Sequence, residues 1–141
     1  MRLWPICGLF MLNCVPDDGV LTVEVTLDSD VSMVVEAVTV RPADVAFSDV
    51  WESLPLIAEI VEEGTNQVEL ASGPLEPGLY HHVFVDVTDI EHDGFALEDI
   101  VEPIAAPFEM DERSRRMVVE LMTYELPSGE LGLFAVDTDV D

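Results

Sequence analysis

From Asp89 to Gly94 the chain reads DIEHDG, so Asp89, Glu91 and Asp93 offer carboxylates at alternate positions ahead of a glycine. That spacing opens an EF-hand calcium loop, where alternating oxygens ring the ion and the glycine makes the sharp turn. The pattern then stops. Position twelve, which needs a bidentate glutamate, is Ile100, with Glu98 and Asp99 falling early. Calcium at Asp89, Glu91 and Asp93 is one reading; a plain acidic turn is the other, and the missing twelfth ligand favours it. His81 and His82 adjoin on an alternating stretch, where neighbours point to opposite faces and cannot grip one ion together. Alternation groups His81 with Val83, Val85 and Val87 on the core side, and His82 with Tyr80, Phe84 and Asp86. A zinc site would need His82 to meet His92 and an acid across the turn. Arg113, Arg115 and Arg116 are the one basic cluster. Their planar donors suit an anion or a partner's carboxylate, or they offset nearby acids at an exposed hairpin tip.

Enzyme chemistry finds little support. No serine stands in a G-x-S-x-G turn, no glycine-rich phosphate loop precedes a helix, and no lysine exists for Schiff-base or phosphate work. Paired carboxylates could cleave glycosides in an acidic cleft, but among 30 acids some pair always exists. The sequence therefore points to a non-catalytic module with no cofactor, calcium aside. Five arginines face those 30 acids, for a net charge of −25. Such a surface repels nucleic-acid phosphates and anionic headgroups and attracts cations or basic proteins. Nearly half the chain is apolar, 49%, so the acidity does not signify disorder, which also needs low hydrophobicity. Acid excess without lysine resembles proteins of salt-loving microbes.

The first residues carry a different chemistry. Arg2 is followed by the apolar run LWPICGLFML, and no further charge occurs before Asp17. The run is shorter than the roughly 20 residues a spanning helix needs. A positive start, an apolar centre and a polar loop make a secretory signal pattern. MLNC, ending at Cys14, resembles the lipobox of prokaryotic lipoproteins. That resemblance implies a signal peptide over 1–13, a diacylglyceryl group on Cys14 as the new N-terminus, and a tether over 14–19. Several acyl chains give stable anchoring, and the domain over 20–141 would then work outside the cytoplasm, on a membrane. Cys7 and Cys14 are the only cysteines, so processing would leave a fold without a disulfide. Two other readings of the pair stay open: a Cys7–Cys14 bridge, and apolar positions of a first strand.

The elements that position these residues read as strands. Val20 to Asp28 alternates, with Leu21, Val23, Val25 and Leu27 on one face and Thr22, Glu24 and Thr26 on the other. Val31 to Arg41 is a β-branched run closed by Pro42, which removes a ladder donor. Further strands are expected at Val45–Trp51, around Val68, at Leu79–Thr88, Phe95–Ile100, Ile104–Met110, Met117–Thr123 and Gly132–Val136. Leu54 to Val61 is ambiguous by periodicity. EEGTN reads as a hairpin turn, SGPLEPGLY as a double turn, DERSRR as a hairpin tip and VDTDVD as a frayed strand end. Short strands with turn signals between them, and no convincing helix, predict one all-β domain: an antiparallel β-sandwich of roughly seven to nine strands.

LEPGLYHHVFVDV resembles the L-x-P-G-x-Y turn and strand of prealbumin-like sandwiches, the group that includes carboxypeptidase regulatory-like domains. The resemblance implies that Pro77 and Gly78 set the turn, and that Tyr80 locks it by packing and a hydroxyl hydrogen bond. From Val20 to Val136 the order of motifs also resembles a family of uncharacterised lipoprotein domains of bacteria and archaea. The matching stretches are LTVEVTLDSD, EAVTVRPADVAFSDVW, VEL, PGLY, APFEM and MVVELM. That family has no established activity and implies only a lipid-anchored extracytoplasmic sandwich; the chain itself is expected to be a binding or structural module, its partner a protein or a surface glycan.

Overall fold

A computed structural model of the chain describes residues 18–43, 51–97, 104–125, 127–128 and 131–141, with backbone alone at 104 and 131–139. Residues 45–50 of the strand expected at Val45–Trp51, and the signal segment with Cys14, lie outside the described residues.

Among the described residues ten strands form two sheets, and there is no helix. In chain order they are β1 (Gly19–Thr26), β2 (Val31–Pro42), β3 (Glu52–Leu54), β4 (Ile60–Val61), β5 (Gln67–Leu75), β6 (Gly78–His92), β7 (Phe95–Ala96), β8 (Ile104–Met110), β9 (Arg115–Glu125) and β10 (Leu131–Val140). One sheet runs β10-β9-β1-β5; the other is built on β3-β2-β6-β7, with β4 against β2 and β8 against β6. A single apolar cluster joins them. Leu21, Val23, Val25, Leu70, Met117, Val119 and Leu121 from one sheet meet Val31, Met33, Val38, Val83, Val85, Phe108 and Met110 from the other. Each large apolar side chain buried in this way contributes roughly 1.5–3 kcal/mol, and the alternation along β1 and β9 is the sequence signature of that half-burial.

The pairing is antiparallel throughout except at β1 and β9, which run parallel, with Leu21 opposite Arg115 and Val25 opposite Val119. The cause is the path of the chain before β9. Residues 111–114 do not form a hairpin tip, because β8 pairs with β6 in one sheet and β9 with β1 and β10 in the other. They carry the chain across the sandwich, and β9 starts at the end where β1 starts. Gly19 marks the crossing. A Cβ there would lie 2.1 Å from the Asp111 carbonyl oxygen and 2.5 Å from that of Arg113, so only glycine lets β1 begin against this segment.

Three further sequence expectations change. EEGTN turns at Gly64, whose φ is +100°, but links β4 in one sheet to β5 in the other rather than closing a hairpin. In SGPLEPGLY only Glu76 and Pro77 lie between strands; Ser72 to Leu75 extend β5, whose place at the sheet edge accommodates Pro74. VDTDV belongs to β10, where Thr138 pairs with Val119 and Val140 with Met117.

Bulges decide which side chains face the core. In β6 the register shifts between Tyr80 and His82, and again where Ser32 and Val34 of β2 face Glu91 and Thr88. In β2 it shifts between Val35 and Ala37. Each shift breaks the period of two. Tyr80, Val83, Val85, Val87 and Ile90 are therefore all buried although their spacing is irregular, and so are Val35 and Val38. His81, expected on the core side, is exposed instead.

Candidate functional site

The second bulge of β6 shapes the acidic end of the molecule. Asp89 takes a φ of +49°, the left-handed conformation that a bulge residue adopts and that aspartate tolerates better than most side chains. Ile90 then turns into the core, while Asp89 and Glu91 stay exposed. Both acids line an open groove of about 350 Å³ together with Ser32, Val34, Ile60, Glu62 and Glu63. Met33 and Val61 complete its lining. The groove therefore combines four carboxylates with an apolar wall on which Ile60 is 65% exposed.

Asp93 belongs elsewhere. β6 continues to His92, and only Asp93 and Gly94 separate it from β7, with His92 opposite Phe95. Their φ values of +51° and +81° are the type I′ signature of an Asp-Gly hairpin. This tip meets the β1–β2 turn, where the Asp93 amide donates to the Asp30 carbonyl at 3.0 Å. The carboxylates of Asp30 and Asp93 and the imidazole of His92 each bring a ligand atom within 4.8 Å of the others. His92 Nδ1 stands 3.9 Å from Asp93 Oδ2.

Asp89, Glu91 and Asp93 consequently do not form one ligand set: among the described residues, the one group of three or more with converging ligand atoms is Asp30, His92 and Asp93. The EF-hand spacing fails because it presumes a loop, whereas residues 89–92 are strand. Asp30 was missed because nothing in the sequence tells which turn abuts DIEHDG.

His81 and His82 sit at the first bulge with ring centroids 6.4 Å apart, and the Trp51 ring lies 6.4 Å from His82 on its other contact. His82 pairs with Arg41 and Ala105, so it does not join His92. Its Nδ1 is buried with no hydrogen-bond partner.

The expected turn residues occupy the start of β6. Gly78 opens the strand with φ +147°. The Tyr80 hydroxyl donates to the Glu76 carbonyl at 2.8 Å, and its ring stacks on Phe108 at 5.2 Å. Turn, ring and β8 are thereby held as a unit.

The three arginines are engaged by acids of this chain. Arg113 grips Asp111 through a 2.8 Å ion pair, and Arg115 reaches the same carboxylate at 3.8 Å. The Arg113 side-chain hydrogen bond, followed by the one from its backbone amide, holds the Asp111 carboxyl at about 2, below its ordinary 3.8. Arg113 is raised in return by the same hydrogen bond. Arg116 bridges Glu69 and Glu24, and its pKa is raised by the hydrogen bond it donates to Glu69 and then by the charge of Glu24. Glu24 is the one buried charged side chain among the described residues, and Gln67 also donates to it. Arg113, Ser114, Arg115 and Asp141 line a small hollow of about 110 Å³.

Comparison with protein-family models, with curated proteins and with solved structures gave no match.

Proposed function

We propose that this chain is a non-catalytic, lipid-anchored binding module that works outside the cytoplasm, of the lipoprotein family and prealbumin-like type that its motifs resemble. The observation that carries the binding role is the groove where Glu62, Glu63, Asp89 and Glu91 stand around exposed Ile60. Carboxylates beside apolar surface suit a basic, partly apolar segment of a partner protein: the charges steer the encounter and the apolar contact holds it. A net charge of −25 adds long-range attraction for such a partner and repulsion of nucleic acid. The tether reading is supported by spacing, since β1 begins at Gly19, directly after the Pro16 to Asp18 stretch that follows Cys14.

Two measurements test the proposal. Intact mass of the protein made from its own gene and recovered from membranes should start at Cys14 and carry acyl groups; a chain starting at Met1 without modification would remove the anchor. A peptide of alternating lysine and leucine should bind the full chain more weakly once Glu62 and Glu91 are both changed to Gln. Equal binding by the variant would take the groove out of the proposal.

A further inference from the structure

The converging side chains at the other acidic feature have a chemistry distinct from that of the groove. Asp30 comes from the β1–β2 turn, and His92 and Asp93 come from the β6–β7 hairpin. Two carboxylates held this close repel each other. Among the described residues neither is in an ion pair with an arginine: Arg113 and Arg115 serve Asp111, and Arg116 serves Glu24 and Glu69. The one basic group in the cluster is the imidazole of His92, whose side chain is 24% exposed.

We propose that Asp30, His92 and Asp93 form a three-ligand site for a divalent cation of the zinc class, left open to water or to a partner's ligand at the fourth position. Ligand atoms within 4.8 Å of one another can close onto an ion about 2.0–2.2 Å from each by small side-chain rotations. One nitrogen with two oxygens selects zinc, cobalt or nickel over calcium, which takes six to eight oxygens and gains nothing from imidazole. The Asp93–Asp30 backbone hydrogen bond holds the two turns in register, so both halves of the site are present before the ion arrives. Binding would also tie the β1–β2 turn to the β6–β7 hairpin and raise the melting temperature.

The test is calorimetric titration of the full chain with zinc chloride in excess magnesium, which occupies the general acidic surface. One zinc per chain is expected. His92→Ala and Asp30→Asn should each weaken it at least about 10-fold, the lower end of what altering a metal's support costs, while His82→Ala leaves it unchanged. Circular dichroism of the zinc-free variants shows whether they are folded. A variant that unfolds is replaced as a readout by the His92 ring proton resonances of the wild type, which should shift with zinc and saturate at one equivalent. Zinc affinity unaffected by His92→Ala and Asp30→Asn, a response confined to His81 and His82, or no binding in magnesium would each overturn the proposal. So would calcium competing at equal concentration.

Discussion

Arg116 reaches across from β9 to the carboxylate of Glu24 at the centre of β1, which is 5% exposed, and holds Glu69 of β5 at 2.9 Å with the same nitrogen. One guanidinium thus ties together three neighbouring strands of the smaller sheet. A buried carboxylate tolerates its loss of water only while such partners stay. Arg116→Leu should therefore lower the urea midpoint, because it leaves Glu24 with Gln67 as its described donor. Glu24→Leu with Arg116→Leu should recover much of that loss, since removing both charges removes the uncompensated one. A double-mutant cycle in urea measures the coupling. A double variant less stable than Arg116→Leu alone would show that the carboxylate is not what the arginine stabilises.

Asp111 gives the acid limb of the stability curve a specific origin. Its folded pKa is about 2 against an ordinary 3.8, so the unfolded chain takes up this proton first as acid is added. The stabilisation is fully present above about pH 4 and is lost as pH falls toward 2. Arg113→Ala removes the main cause, the side-chain hydrogen bond. The carboxyl carbon resonance of Asp111 should then titrate nearer to 3.8, and the variant's stability should depend less on pH over that interval. An unchanged titration in Arg113→Ala would assign the depression to other groups.

Strand positions were legible because alternation on a half-buried strand is a local property. β8 has the expected bounds, Ile104 to Met110, and β2 runs one residue past Arg41. Bulges were not legible: nothing in LYHHV says that Tyr80 and Val83 both face inward, and that one slip moved His81 to the surface. Pairing partners were hidden for a different reason. Glu24 reads as an outward position, and it is; it is nevertheless buried, because Gln67 and Arg116 from both neighbouring strands close over it. The parallel β1–β9 pair follows from a crossing at 111–114 whose polar residues look the same as a hairpin tip. Of the three converging side chains, Asp93 reads in the sequence with Asp89 and Glu91, and His92 with His82, and the structure forms neither set. Asp30 joins His92 and Asp93 only through the packing of two turns far apart in sequence.

The turn at Pro77 and Gly78 shows how one aromatic residue can hold the start of the longest strand. Tyr80 is buried, its hydroxyl bonds back to Glu76, and its ring lies nearly flat on Phe108 at 12° between planes. The two contributions separate by substitution. Tyr80→Phe keeps the ring and loses one hydrogen bond, which should cost roughly 1 kcal/mol. Tyr80→Ala also loses the stack and leaves a cavity between β6 and β8, for about 3–5 kcal/mol. Urea unfolding of both variants measures the two steps. If Tyr80→Phe costs as much as Tyr80→Ala, the hydroxyl bond to Glu76 rather than the stack on Phe108 secures the turn.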